Sequence, residues 1–313
     1  MKIVFMGTPD FAVPVMEAVQ EAGHDIALVV TQPDRPKGRK KTLTPPPVKT
    51  AAERLDLPVF QPEKIKEDYQ PVLEAAPDLI VTAAFGQLLP KKVLDIPELG
   101  AVNVHASLLP KYRGGAPIHY AVMNGEKETG ITIMYMAEKL DAGDMLLKRS
   151  IPINPDDTTG TMHDKLSLLG AEMIKEILPM LEKGEVEPEP QNSSEATFAP
   201  NITKEKEFIN WEAPAEEVSS QIRGLNPWPA AYTTFFGKRL KVWEAEPVEG
   251  SVNDLPGTVT AVTDKAVHVA CGSGTVLALK KVQPSGKKPM DIATFYNGQG
   301  RDVKAGTVLG IDE

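Results

Sequence analysis

The sequence predicts an α/β protein made of a doubly wound N-terminal domain and a smaller, all-β C-terminal domain. Three observations predict it. The chain opens β-α-β: an apolar run Lys2-Ile3-Val4-Phe5-Met6-Gly7, a helical pattern over 11–22 closed by Gly23, and a second apolar run over 26–31. That order builds a parallel sheet with helices on its faces, the Rossmann-like arrangement. Further strand patterns follow at 78–83 and 101–105, so the alternation continues beyond the opening. From about Lys204 the composition changes. Six short β-like segments, at 231–236, 240–245, 257–262, 266–270, 275–282 and 306–309, are punctuated by Gly237, Gly272-Ser273-Gly274, Pro284-Ser285-Gly286 and Asn297-Gly298. This reads as a small OB-like β-barrel or open sheet. The expected division is 1–189 for the first domain, 190–203 for a linker entered through Gly184-Glu185-Val186-Glu187-Pro188-Glu189-Pro190, and 204–313 for the second.

Along the chain, the first β-α turn carries Gly7 and then Thr8-Pro9-Asp10, not G-x-G-x-x-G, which disfavours a dinucleotide site. Residues 32–48 break the alternation with a Pro-rich loop bearing Arg35, Lys37, Arg39, Lys40 and Lys41 against Asp34. Such a loop fits either a solvated surface or a set of phosphate contacts. A helix is expected at 48–55, a short strand at 59–60, and the 78–83 strand runs into Ala84-Phe85-Gly86-Gln87-Leu88-Leu89-Pro90. That apolar turn fits a wall for a flat ligand and fits ordinary core equally well. Strands at 130–136 and 145–151 flank Leu140-Asp141-Ala142-Gly143-Asp144, a long helix is expected at 158–181, and a further helix at 216–225.

At 313 residues the chain favours two domains, and 42% hydrophobic content supplies a core. A net charge of −9 excludes a uniformly basic nucleic-acid binder. Cys271 is the single cysteine, which excludes an internal disulfide framework and a cysteine zinc cluster. His24, His119, His163 and His268 show no partner spacing for a metal, so none is expected. The apolar start at 1–7 is too short for a signal peptide, and no run approaches the length of a membrane span. The expectation is a soluble, cytoplasmic monomer.

The chemistry concentrates at 101–118. Ala101-Val102-Asn103-Val104-His105 alternates with the period of a strand, so Asn103 and His105 project to one side while Val102 and Val104 face a core. Ser107-Leu108-Leu109-Pro110 turns the chain, and Arg113-Gly114-Gly115-Ala116-Pro117 leads into a helix with proline in its first turn. Taken alone, the pair also fits a turn asparagine and a structural histidine. At the carboxyl end of a strand in an α/β sheet it lies where such folds bind ligands. An amide there can hold a developing oxyanion and an imidazole can move a proton. If Asp141 or Asp144 reaches His105, a carboxylate orients the ring and favours its charged form.

Read together, Asn103-x-His105, Ser107 to Pro110 with Arg113 to Pro117, and Leu140 to Asp144 resemble the signature of folate-dependent formyltransferases. The opening Gly7-Thr8-Pro9-Asp10-Phe11-Ala12, the Gln32-Pro33-Asp34-Arg35 loop and Asn226-Pro227-Trp228-Pro229 extend the likeness over essentially the whole chain and toward its tRNA-directed members. The resemblance implies formyl transfer from 10-formyltetrahydrofolate to the α-amino group of methionyl initiator tRNA, in support of translation initiation. It implies Asn103 as oxyanion donor, His105 as proton carrier and Asp141 as its orienting carboxylate. It further implies a folate site bordered by Ser107, Leu108, Leu109 and Pro110 on one side and Phe85, Gly86, Gln87 and Leu88 on the other, with Arg35, Arg39, Lys40 and Lys41 on the tRNA acceptor end. Competing readings are a formyltransferase for a small amine, an RNA-binding module without catalysis, and a hydrolase using the same trio.

Overall fold

The computed structural model describes residues 1–38 and 40–311. The chain divides into two compact units. One comprises Met1–Pro117, Glu128–Pro152 and His163–Pro200; the other comprises Ile118–Lys127, Ile153–Met162 and Asn201–Glu313.

The first unit is built on strands β1 (Lys2–Gly7), β2 (Asp25–Val30), β5 (Val59–Phe60), β6 (Leu79–Ala83), β7 (Ala101–His105), β8 (Glu128–Tyr135) and β9 (Met145–Pro152) in one sheet; β3 (Arg35–Lys37) and β4 (Thr42–Thr44) form a separate hairpin. The sheet order is β5-β2-β1-β6-β7-β8-β9. The first five are mutually parallel, while β8 and β9 join antiparallel to their neighbours. Central parallel strands are covered on both faces and so read as continuous apolar runs. Ile3, Val4, Phe5 and Met6 of β1 and Leu79, Ile80 and Val81 of β6 are all fully buried. Helix α1 (Ala12–Glu21) packs on β1, β2 and β6, followed in sequence by α2 (Pro47–Arg54), α3 (Gln70–Ala75) and α4 (Lys91–Leu94).

Helix α5 (Pro117–Met123) carries its proline in the first turn as expected, and α6 (Thr159–Lys183) supplies the long helix. Within α6, Gly170 lies directly over β7: a Cβ there would sit 2.9 Å from Val104 Cγ1. Glycine costs a helix about 1 kcal/mol relative to alanine. Its presence here lets the helix approach Val104, which leaves Asn103 and His105 on the opposite face of the strand.

The second unit holds helices α7 (Lys204–Glu207), α8 (Ala215–Gly224) and α9 (Ile292–Tyr296) with strands β10 (Tyr232–Phe235), β11 (Lys238–Val248), β12 (Val259–Val262), β13 (Val267–Ala270), β14 (Val276–Pro284) and β15 (Met290–Asp291). These form one antiparallel sheet in the order β10-β11-β14-β13-β12, with β15 on β14, curled as a half-barrel. Its core contains Trp211, Val218, Ile222, Leu240, Val242, Leu277, Leu279 and Phe295. The strand expected at 306–309 is a single bridge, Thr258 with Val308. No helix among the described residues is long and apolar enough to cross a membrane.

Candidate active site

Asn103 and His105 lie on β7, His105 as its last residue. On the neighbouring parallel strand, Thr82 pairs in register with Asn103. Its buried hydroxyl has three acceptors nearby: Asn103 Oδ1 at 2.7 Å, Val102 O at 3.2 Å and Met136 Sδ at 3.3 Å. A hydroxyl has one proton, and the shortest contact takes it. Asn103 Oδ1 is thereby satisfied. The amide NH2 has no protein acceptor among the described residues, so it is a donor turned outward from the strand.

The other partners come from the loop after β7. His105 Nε2 lies 3.0 Å from the Tyr112 carbonyl. A carbonyl only accepts, so Nε2 carries a proton. That leaves Nδ1 as the ring nitrogen not bound to backbone. It faces Asp141 Oδ2 at 3.8 Å, with the two side chains only 7% and 10% exposed. That is ion-pair separation, longer than a direct hydrogen bond. Asp141 Oδ2 also accepts from the Gly114 N–H at 2.8 Å.

Asp141 reaches the ring by a route that local pattern does not reveal. Tyr135, the last residue of β8, pairs with Val102, while His105 pairs with Thr132. The connection over 136–144 must therefore return roughly 10 Å along the strand, three residues at about 3.3 Å each. Two backbone positions make this possible. Asp141 takes a left-handed φ of 48°, a region that aspartate visits more readily than most residues. A Cβ at Gly143 would fall 1.8 Å from the Tyr135 carbonyl oxygen, so only glycine fits. Asp144 is exposed and, among the described residues, forms no ion pair with the ring, which leaves Asp141 as the carboxylate at the histidine.

The other expected contacts divide by burial. Phe85 is core, packed with Val4, Ile80 and Leu89, and its carbonyl accepts from Thr8 Oγ1. Gln87 binds backbone, accepting from Ile65 N and donating to Pro62 O. Gly86 and Leu88 are exposed, Leu88 by 69%. Ser107 is buried with its hydroxyl on Lys111 O; Leu109 is buried against Met134 and Met145; Leu108 and Pro110 are half-buried. Of the side chains expected here, Leu88, Leu108 and Pro110 are thus the apolar ones left accessible.

The basic loop contains the β3–β4 hairpin. At its base Asp34 accepts from Lys49 and Gln61. Those two bonds, Gln61 first, hold its carboxyl below the usual carboxylate range. Arg35 pairs with Glu63 at the surface, Lys40 and Lys41 sit at the turn, and Leu43 is 64% exposed. Arg39 lies outside the described residues. In the second unit, Lys281 and Lys280 pair with Glu244 and Glu246, and Arg239 stacks 3.7 Å over the Tyr232 ring. Among the described residues, no group of three or more His, Cys, Asp and Glu is arranged to hold a metal.

The formyl transferase family model matches residues 1–178, and the model for the formyl transferase C-terminal domain matches 201–300. A methionyl-tRNA formyltransferase of Enterococcus faecalis is 55% identical over 304 residues, covering 96% of this chain and 97% of its own. That of Bacillus subtilis is 54% identical over 313 residues, covering 99% and 98%. Among solved structures, an N-formyltransferase from Helicobacter canadensis, in complex with folinic acid and dTDP-3-aminofucose, aligns at TM-score 0.67 and 16% identity over 91% of this chain and 99% of that one. HypX from Aquifex aeolicus in complex with tetrahydrofolic acid aligns at TM-score 0.66 and 20% identity over 97% of this chain and 48% of that one. At such identity the two structures speak to fold alone. With both family models matched and relatives more than half identical over nearly the full length, the chain belongs to the formyl transferase family.

Proposed function

We propose that the chain transfers a formyl group from 10-formyltetrahydrofolate to the α-amino group of methionyl initiator tRNA. The observation that carries this is the convergence of three groups: the unpaired Asn103 NH2, His105 Nδ1 and the Asp141 carboxylate. An amine attacking a formyl carbon builds negative charge on oxygen. Asn103 donates to that oxygen, a contribution typically worth about 10²–10³ in rate. His105, protonated on both nitrogens, adds a second donor through Nδ1–H. It then passes that proton to the departing folate nitrogen, worth about 10²–10⁴. Asp141 takes the proton released by the amine and returns one to Nδ1, so the net movement is one proton from amine to folate nitrogen. No covalent enzyme intermediate is required.

The folate donor lies against Leu88, Leu108 and Pro110, whose apolar exposure suits a flat ring, with Phe85, Gly86, Gln87, Ser107 and Leu109 fixing that border through backbone and core contacts. Arg35, Arg39, Lys40 and Lys41 contact the acceptor-end phosphates, and the exposed Leu43 offers an apolar wedge against unpaired bases. Residues 1–189 carry the chemistry and 204–313 contact the rest of the tRNA. The enzyme acts as a cytoplasmic monomer. The test is transfer of labelled formyl to methionyl initiator tRNA, to methionyl elongator tRNA and to free amines. A strong preference for the initiator is expected. Equal rates on a free amine would favour a small-molecule formyltransferase instead.

A further inference from the structure

Arg113 is the largest fully buried side chain among the described residues, 1% exposed. Among the described residues it forms no ion pair with a carboxylate. Burying a guanidinium is costly unless its donors are satisfied, and here the partner is an amide. Arg113 Nε and Nη2 both donate to Gln191 Oε1, at 3.1 and 2.7 Å. Gln191 Nε2 in turn donates to the carbonyls of Asp141 and Gly143, each at 2.8 Å. A guanidinium only donates and a carbonyl only accepts, so the amide has a single compatible orientation. The segment bearing Gln191 is fastened at both ends. Glu189 and Met145 exchange two backbone bonds of 2.8 Å, while Arg113 and Ala199 are joined at 2.7 Å and Arg113 N reaches Thr197 O at 2.9 Å.

We propose that Arg113 and Gln191 are positioning residues that lock the Asp141 turn at His105, an inference resting on the role of Asp141 given above. Three consecutive residues then set the histidine–aspartate geometry. Tyr112 holds the ring through its carbonyl, Gly114 holds the carboxylate through its N–H, and Arg113 holds the turn through Gln191. The left-handed backbone at Asp141 needs such support, because sparsely populated conformations persist only where their surroundings over-determine them.

The test is a double-mutant cycle in the full-length enzyme, with kcat and KM measured for 10-formyltetrahydrofolate and methionyl initiator tRNA. Gln191→Glu is nearly isosteric and keeps an oxygen for Arg113, but replaces the two N–H donations with an oxygen facing two carbonyls. Gln191→Leu is the apolar second variant. In either variant, kcat is expected to fall by about 10–100-fold, the scale of an ångström-level misplacement, with both KM values within about 3-fold of wild type. In an Asp141→Asn background the same change is expected to cost less than about 2-fold more, since residues acting through one group are not additive. A merely structural role would lower kcat by equal factors in both backgrounds, and that result overturns the proposal, as does wild-type kcat in both Gln191 variants. An unimpaired Asp141→Asn enzyme is a separate outcome: it overturns the assigned role of Asp141, and the lock falls with it.

Discussion

Replacing Thr82 with valine removes one hydroxyl from a buried site while preserving shape. Its O–H donates 2.7 Å to Asn103 Oδ1 and thereby decides which end of the amide faces outward. Without it, Asn103 Oδ1 is left with no donor, and leaving a polar group unsatisfied costs about 1–3 kcal/mol. The amide is expected to relieve that cost by rotating, which would turn its NH2 away from the oxyanion it is proposed to bind. Complete removal of one such donor costs about 10²–10³ in rate. A misdirected donor that is still present should cost less, about 10–50-fold in kcat, or roughly 1.4–2.3 kcal/mol at 1.36 kcal/mol per decade. The assay is single-turnover formyl transfer at saturating tRNA, so that binding and product release do not enter. Thr82→Ser, which keeps the hydroxyl, should recover most of the rate. Wild-type kcat in Thr82→Val, or equal impairment in the valine and serine variants, would show that the hydroxyl does not orient Asn103.

Replacing Lys40 and Lys41 together with alanine should raise KM for tRNA with little change in kcat, and should lower the slope of log affinity against log salt by about 0.9 for each phosphate the protein no longer neutralises; an unchanged slope removes the hairpin from the RNA interface. Burial pushes the Cys271 thiol up to about 12, so at pH 8 the native protein should resist alkylation and yield its single thiol only on denaturation; stoichiometric labelling of the native protein within minutes would contradict this. Asp34 is depressed by Gln61 and Lys49, so its anchoring of the hairpin is fully present at neutral pH and disappears on acidification below about 4, as the carboxyl protonates. A carboxyl NMR titration should place its midpoint below that of an ordinary aspartate, and Gln61→Leu should move it back up; a midpoint at or above the ordinary value refutes the assignment.

The β-α-β opening is legible in the sequence because buried parallel strands write themselves as unbroken apolar runs. Asn103 and His105 are legible because both lie on one short strand, where alternation alone puts them on the same side. Partnerships across the fold are not. Thr82 meets Asn103 only because β6 and β7 pair in a particular register, and nothing local to Thr82 signals it. Asp141 is visible through its motif rather than through geometry, since its turn doubles back along the sheet. Gln191 is a lone amide in a polar, proline-containing stretch whose composition resembles a connector. The β3–β4 hairpin is hidden by its prolines and lysines, residues depleted in strands, and the pattern at 306–309 amounts to one bridge.

Asn103→Ala tests the chemistry most directly, because it removes the outward amide while leaving the histidine and the carboxylate in place. Single-turnover formylation of methionyl initiator tRNA should slow by about 10²–10³, with affinity for the tRNA and the folate donor nearly unchanged. A variant that formylates at the wild-type rate would contradict oxyanion stabilisation by this side chain.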